Sequence, residues 1–271
     1  MTSASGRAWL FVPASRPDRF DKAVAAGADQ VLLDLEDAVG ADDKVQARAS
    51  VARWLETGQR AWVRINAAGT PWHDEDVATI GAQPGLAGIM LPKADDPEDL
   101  EGLRAALPSS AGIVALVESA LAVHRAVDIA SCGVTRLAFG SLDYALDVGG
   151  EPIDEALLFA RSTIVQATRI AGIDAPLDGV TTTLNDPVAV QSAAEYARRL
   201  GFGGKLCIHP QQVAIVRAAF APAPEELEWA RRVVAVADAG TAVAAVGAEL
   251  VDKPVIDRAR RLLAEAESGS R

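Results

Sequence analysis

Short apolar runs alternate along the chain with longer stretches whose apolar residues recur at helical spacing. The runs Ala8–Val12, Gln30–Leu35, Ala61–Ile65, Ala87–Leu91, Gly112–Val117, Arg136–Phe139, Ala175–Val180 and Lys205–Ile208 predict eight strands. Helices are predicted between nearly all of them, around 17–26, 42–57, 73–82, 97–107, 119–130, 153–172, 187–200 and 210–219. Apolar strands separated by helices predict a parallel sheet. Eight such units favour a closed (β/α)8 TIM barrel over an open doubly wound sheet, and 271 residues suit one barrel. No GxGxxG follows the first strand, which weakens a dinucleotide-binding alternative.

The pattern changes after residue 220. Ala221-Pro222-Ala223-Pro224 punctuates the chain. A helix near 225–238, a Gly/Ala-rich stretch, Val251-Asp252-Lys253-Pro254 and a last helix near 255–266 follow. The expected division is a barrel over 1–220 and a C-terminal helical extension over 221–271. The extension is expected to pack on the barrel or on a neighbouring subunit.

Composition narrows the function classes. Half of the residues are hydrophobic, so a sizeable core can form. The net charge of −11 and the absence of Lys/Arg clusters argue against nucleic acid or an anionic membrane as partner. Cys132 and Cys207 form no metal-like spacing or disulfide framework, which fits a reducing cytoplasm. Trp9–Val12 is too short for a signal-peptide core, and the alanine-rich 241–248 stretch is too short to span a bilayer.

Charged residues collect where the predicted strands end: Asp34, Glu36 and Asp37; Arg64 and Asn66; Lys93; Glu118; Gly140 with Asp143 beyond; and His209, with Lys205 at the start of the last strand. In a barrel, one rim gathers strand-end residues into a site. Glu118 and Asp143 are the candidate metal ligands, since two carboxylates with waters and substrate oxygens suit Mg²⁺. Acids at helix starts are the competing explanation. Arg64 interrupts an apolar strand. It serves either a substrate carboxylate or oxyanion, or a structural ion pair with Glu36 or Asp37. Arg64, Glu118 and Gly140 are the expected substrate contacts. His209 and Cys207 read as structural, and His73 and His124 as surface residues. Position alone makes Asp252 the N-cap of the last helix.

Several motifs recur in a known order. They are Phe11-Val12-Pro13-Ala14-Ser15-Arg16-Pro17-Asp18-Arg19-Phe20, Leu32-Leu33-Asp34-Leu35-Glu36-Asp37-Ala38-Val39 and Val63-Arg64-Ile65-Asn66. Leu91-Pro92-Lys93, Val117-Glu118, Phe139-Gly140-Ser141-Leu142-Asp143-Tyr144 and Ile208-His209-Pro210-Gln211 follow. This series resembles the citrate lyase beta-subunit-like family of malyl-, citramalyl- and citryl-thioester lyases. The resemblance implies a (β/α)8 barrel that uses Mg²⁺, with Mn²⁺ as an alternative. It implies cleavage or formation of a carbon–carbon bond beside a coenzyme A thioester, with a 2-oxoacid as the other partner.

By position, Glu118 and Asp143 match the metal ligands, and Arg64 matches the residue that grips the oxoacid. Glu36 and Asp37 match its acidic supports. Asp252 matches an Asp that some members present to a neighbouring subunit, where it handles the proton at the thioester α-carbon. That implies a homo-oligomer, a homotrimer or a dimer of trimers. Arg16, Lys93 and Lys205 are candidates for coenzyme A contacts. The presence of Asp252 favours free coenzyme A thioesters, and citramalyl or malyl over citryl. The alternatives are a metal-dependent 2-oxoacid aldolase acting without coenzyme A and a catalytically silent subunit.

Overall fold

The structure, a computed structural model, describes residues 6–238, 244–246 and 249–268. Eight parallel strands close a barrel in sequence order: β1 Ala8–Pro13, β2 Gln30–Asp34, β3 Ala61–Arg64, β4 Leu86–Leu91, β5 Gly112–Val117, β6 Arg136–Phe139, β7 Asp174–Asp178 and β8 Gly204–Cys207. Pairing of β1 with β8 (Trp9 opposite Leu206) completes the ring. The expected TIM barrel is therefore the observed fold.

Ten helices follow the strands within the barrel segment. They are α1 Phe20–Ala25, α2 Lys44–Glu56, α3 His73–Gly81, α4 Pro97–Ala106, α5 Ala120–His124, α6 Ala126–Ser131, α7 Ser141–Asp147, α8 Asp154–Ala171, α9 Pro187–Leu200 and α10 Pro210–Ala219. Local chemistry sets several of their ends. Asp96 and Asp186 cap α4 and α9 through side-chain bonds to free N–H groups, each ahead of a proline at the first helical position. Gly172 and Gly201 end α8 and α9 in the left-handed conformation that glycine adopts without strain.

Two departures from expectation stand out. The helix expected over 119–130 is two, because Arg125 (φ −94°, ψ 12°) leaves the helical region while its Nη1 donates to Asp95 O. The short α7 was not expected at all. Its apolar Leu142 and Leu146 face solvent, so no amphipathic period marks it.

The barrel interior is filled by Trp9, Leu32, Trp62, Met90, Val114, Leu116, Ala138, Leu177 and Leu206, with Phe11 and Val180 packed on top. Trp9 and Trp62 meet with ring centroids 4.8 Å apart. Side chains on a strand alternate in direction, so these residues fix which face of each strand looks inward. That phase places Asp34, Arg64 and Glu118 inside as well, each two residues beyond Leu32, Trp62 and Leu116.

By its internal contacts the chain divides into two compact units, Met1–Arg217 and Ala218–Arg271. The second holds α11 Pro224–Asp238, an antiparallel pair β9 Ala244–Val246 and β10 Glu249–Val251, and α12 Lys253–Ser268. Its core joins Ala230 and Val233 to Val251, Ala259 and Leu262. The β9–β10 pair lies where only a Gly/Ala-rich connection was expected. Among the described residues, no helix is long and apolar enough to cross a membrane.

Candidate active site

A cavity of about 390 Å³ opens at the C-terminal end of the barrel strands. Its floor is apolar, made by Phe11, Leu116, Val180 and Leu206. Asp34, Asp37, Arg64, Glu118, Gly140, Ser141 and Asp143 supply its polar lining. A larger groove between α3 and α4, lined by Val77, Gly81 and Leu103, lies outside the barrel and gathers none of these groups.

Arg64 is held by three acids. Its Nε and Nη2 donate to the two oxygens of Asp34, both at 2.7 Å. Its Nη1 lies 2.8 Å from Glu36 Oε2 and 3.5 Å from Asp37 Oδ2. The Glu36 contact is ionic, without hydrogen-bond geometry. Phe11 covers one face of the guanidinium, 4.9 Å from ring centre to Cζ. Burial disfavours the Arg64 charge, but Asp34 and its neighbours outweigh this and raise its pKa. The bidentate partner is Asp34, which was read only as part of the β2 exit. Its phase with Leu32 on β2 was the signal that places it beside Arg64. Lys44 fixes the same turn by donating to Leu35 O and Glu36 O, both at 2.7 Å.

Glu118 is 4 % exposed and is pinned on one side. Its Oε1 accepts the Lys93 N–H at 2.7 Å. Lys93 adopts φ 49°, a strained conformation for a residue with a side chain, and so turns its N–H toward Glu118. The Lys93 ammonium meanwhile sits 3.1 Å from Glu36 Oε1. Lys93 thus bridges the two buried glutamates, and its own side chain is half exposed. On its other side Glu118 crosses Gly140 so closely that a Cβ there would stand 2.5 Å from Oε2. Glycine is required at this point by close approach. Burial, with the Glu36 and Asp143 charges, pushes Glu118 up to about 8 despite the opposing Lys93 N–H.

Asp143 sits in the first turn of α7, beside the cavity. Ser141, buried at the start of the same helix, also lines the cavity and was not singled out from sequence. Among the described residues no group of three His, Cys, Asp or Glu gathers to hold a metal.

Other expected residues lie elsewhere. Lys205 is corrected: it faces the helix layer, since Leu206 is the inward residue of β8. Its side chain is 2 % exposed, and its ammonium donates to Asp178 Oδ2 at 2.8 Å and Gly179 O at 2.6 Å. It has no free charge to offer coenzyme A. Arg16 is on the surface, paired with Asp18 at 2.9 Å. His73 is also corrected from a surface residue: it is half buried, with Nδ1 2.9 Å from Asn66 O. Cys207 is buried, and burial pushes its thiol up to about 12. Asp252 belongs to the second unit, where its Oδ1 accepts the Val255 N–H at 3.2 Å and caps α12.

The sequence model of the HpcH/HpaI aldolase/citrate lyase family matches residues 7–210. The chain belongs to that family, and it is a lyase. It is 34 % identical to citrate lyase subunit beta of Escherichia coli over 96 % of this chain and 93 % of that protein. It is 33 % identical to a (3S)-malyl-CoA thioesterase of Cereibacter sphaeroides, covering 97 % of this chain and 95 % of the relative. The crystal structure of CitE from Mycobacterium tuberculosis, in complex with magnesium, acetoacetate and coenzyme A, superposes with a TM-score of 0.86. That match has 34 % identity and covers 97 % of this chain and 99 % of the other.

Proposed function

We propose that this family member is a Mg²⁺-dependent carbon–carbon lyase that cleaves a 3-hydroxyacyl-CoA thioester, such as citramalyl-, malyl- or citryl-CoA, to acetyl-CoA and a 2-oxoacid. The observation that carries this is the convergence of Glu118, Asp143 and Arg64 on one cavity at the barrel rim. Glu118 and Asp143 are the residues that would hold the cation. They fit it: one or two carboxylates with waters and substrate oxygens is how Mg²⁺ is usually bound. Burial, with the smaller contributions of the Glu36 and Asp143 charges, raises Glu118 to about 8, and a divalent cation would favour its charged form. The chemistry that bound Mg²⁺ or Mn²⁺ supplies is Lewis-acid polarisation of the substrate oxygens.

Arg64 acts on the oxoacid half. Asp34 takes two of its five N–H groups and fixes the plane of the fork, which leaves N–H capacity for the oxoacid carboxylate or its carbonyl oxygen. Glu36 and Asp37 steady the Nη1 edge. Cleavage passes the hydroxyl proton to solvent water at the cavity mouth, forms the oxoacid carbonyl, breaks the carbon–carbon bond and leaves the electron pair on the thioester enolate, whose later protonation at carbon restores the proton balance. Asp252 is the proposed acid that protonates the enolate carbon, supplied by a neighbouring copy in a homotrimer or a dimer of trimers. Lys93 and Arg16 remain the proposed coenzyme A contacts. The C-terminal unit is proposed to serve as the carrier of Asp252.

A coupled assay for acetyl-CoA plus pyruvate, glyoxylate or oxaloacetate tests the reading, and release of none of the three overturns it. Thioester hydrolysis is the second reading, favoured by the likeness to a malyl-CoA thioesterase. It would release free coenzyme A and the intact hydroxyacid instead. Cleavage of a free hydroxy-oxoacid at a comparable rate would mark an aldolase independent of coenzyme A. Light scattering of the eluting protein tests the oligomer.

A further inference from the structure

We propose that Asp95 is a positioning residue for the cation site: through Ser119 it holds the strained Lys93 turn whose backbone N–H aims Glu118. The proposal rests on the reading above, in which Glu118 holds Mg²⁺, and concerns a residue outside the described cavity lining.

Among the described residues only Lys93 combines a side chain with a positive φ, at 49°. Such a conformation costs stability and persists only where the surroundings over-determine it. Its N–H donates to Glu118 Oε1 at 2.7 Å, so the strained turn is what aims the carboxylate. Three bonds tie that turn back to the Glu118 segment. The Ala94 N–H donates to Leu116 O at 3.3 Å, two residues before Glu118. Ser119, the residue after Glu118, donates its hydroxyl to Asp95 Oδ1 at 2.5 Å. Arg125 Nη1 donates to Asp95 O at 3.1 Å. The Asp95 N–H closes on Lys93 O at 2.8 Å, which fixes the turn itself. Ser119 Oγ also accepts the Ala122 N–H at 2.9 Å and caps α5, so its direction is set from two sides. Of the three ties, only Ser119–Asp95 joins two side chains, and it spans the two loops that carry Lys93 and Glu118. Asp95 does not line the cavity, so it acts on the site through Lys93.

Calorimetric titration of Mg²⁺ into the cation-free, full-length protein tests this. Asp95→Ala is expected to weaken Mg²⁺ binding about tenfold, the low end for groups that orient a metal ligand, because the Leu116 and Arg125 ties remain. Unchanged affinity overturns the proposal. Asp95→Asn keeps the acceptor oxygen and is expected to stay within about twofold of the parent protein. Asp95→Asn as weak as Asp95→Ala overturns it too, since charge rather than the bond to Ser119 would then be at work. The sharpest comparison sets Lys93→Gly against Lys93→Ala. Both lose the ammonium, but only glycine takes a positive φ freely. In the Asp95→Ala background, Lys93→Gly is expected to bind Mg²⁺ several-fold more tightly than Lys93→Ala, and equal affinity overturns the proposal. Thermal unfolding of the same cation-free proteins needs no metal. Lys93→Gly should melt above Lys93→Ala while Asp95 holds the turn, and that advantage should vanish in the Asp95→Ala background, as coupling between the two sites requires. An advantage that persists overturns the hold of Asp95 on the turn. If the parent protein binds no Mg²⁺ but the advantage vanishes as expected, the turn assignment stands and the metal reading alone fails.

Discussion

The cluster of Asp34, Arg64 and Glu36 and the cluster of Asp178, Lys205 and Arg161 are chemically alike. Each sets buried positive charge against buried carboxylates on or beside the strands of the same barrel, with contacts between 2.7 and 3.0 Å. They differ by one residue of strand phase. Asp34 and Arg64 lie two positions beyond the inward Leu32 and Trp62, so they open into the cavity. Asp178 and Lys205 lie one position from the inward Leu177 and Leu206, so they lock the sheet to α8. Charge at a barrel rim therefore has two uses, and the phase of the strand decides between them. Burial disfavours the Asp178 carboxylate, but Lys205 and Arg161 outweigh it and lower its pKa. The outer cluster is thus fully paired, whereas the inner one is short of positive charge.

Breaking the outer cluster is expected to give the largest stability effect. Asp178→Ala leaves Lys205 with a carbonyl and Arg161 with the exposed Asp154 and the Tyr196 ring. Removing one partner of such a buried pair costs about 3–5 kcal/mol. At about 2–4 °C per kcal/mol for a chain of this size, calorimetry should show Tm falling by roughly 6–20 °C. Lys205→Met is expected to cost less, because Arg161 still pairs with Asp178. It should leave KM for the coenzyme A thioester unchanged, and a raised KM would restore Lys205 as a coenzyme A contact.

The inner cluster should lose activity as well as stability, since without Arg64 the buried Asp34 and Glu36 carboxylates lose the guanidinium they share. Removing Arg64 takes away a preorganised donor aimed at developing charge, a change worth about 10²–10³ in kcat. Steady-state kinetics of folded Arg64→Met should show that loss. Arg64→Lys should not rescue it, because an ammonium cannot reproduce the two-point contact with Asp34. Full rescue by lysine would mean that charge alone matters here.

Much of this was legible from the chain, and strand phase explains what was not. The eight apolar runs gave the barrel because each buried strand is an uninterrupted hydrophobic stretch bounded by helix. Glu118, Arg64, Gly140 and Asp143 were visible as chemistry at strand exits and do share one cavity. Lys205 was given a coenzyme A role and Asp34 was given none for one reason: a list of rim residues ignores which face each occupies. Leu206 and Leu32 beside them carried the missing information. The Lys93–Glu118 contact was not legible in any pattern, because it depends on a left-handed backbone at a residue with no glycine to announce it. Nor was α7, whose exposed leucines hide its period.

A smaller effect should come from Gly140. Adding a methyl there forces Glu118 to shift, since the new carbon would lie 2.5 Å from Oε2. Disturbing the surroundings of a metal ligand typically costs about 10–100-fold in affinity. Gly140→Ala should weaken Mg²⁺ binding by that amount in calorimetry while Arg64 keeps its partners. Unchanged affinity would detach Glu118 from the metal.

The mildest test uses pH alone and separates the two clusters without mutation. Glu118 sits at about 8 in the protein without cation, above the ordinary value of 4.5. Between those values the folded chain holds a proton that the unfolded chain releases, so this residue makes the cation-free protein less stable as pH rises from about 4.5 to about 8. Asp178 has the reverse sign: its depressed pKa contributes stability that is present above the ordinary carboxylate range and lost on acidification. On the proposed reading, in which the Glu118 carboxylate holds the cation, Mg²⁺ affinity should rise about tenfold per pH unit below about 8 and level off above it. Mg²⁺ should accordingly raise Tm more at pH 8 than at pH 6. Glu118→Gln should flatten that slope. A slope that persists in Glu118→Gln would assign the titration to another acid of the inner cluster, with Glu36, also raised by burial, the first to examine.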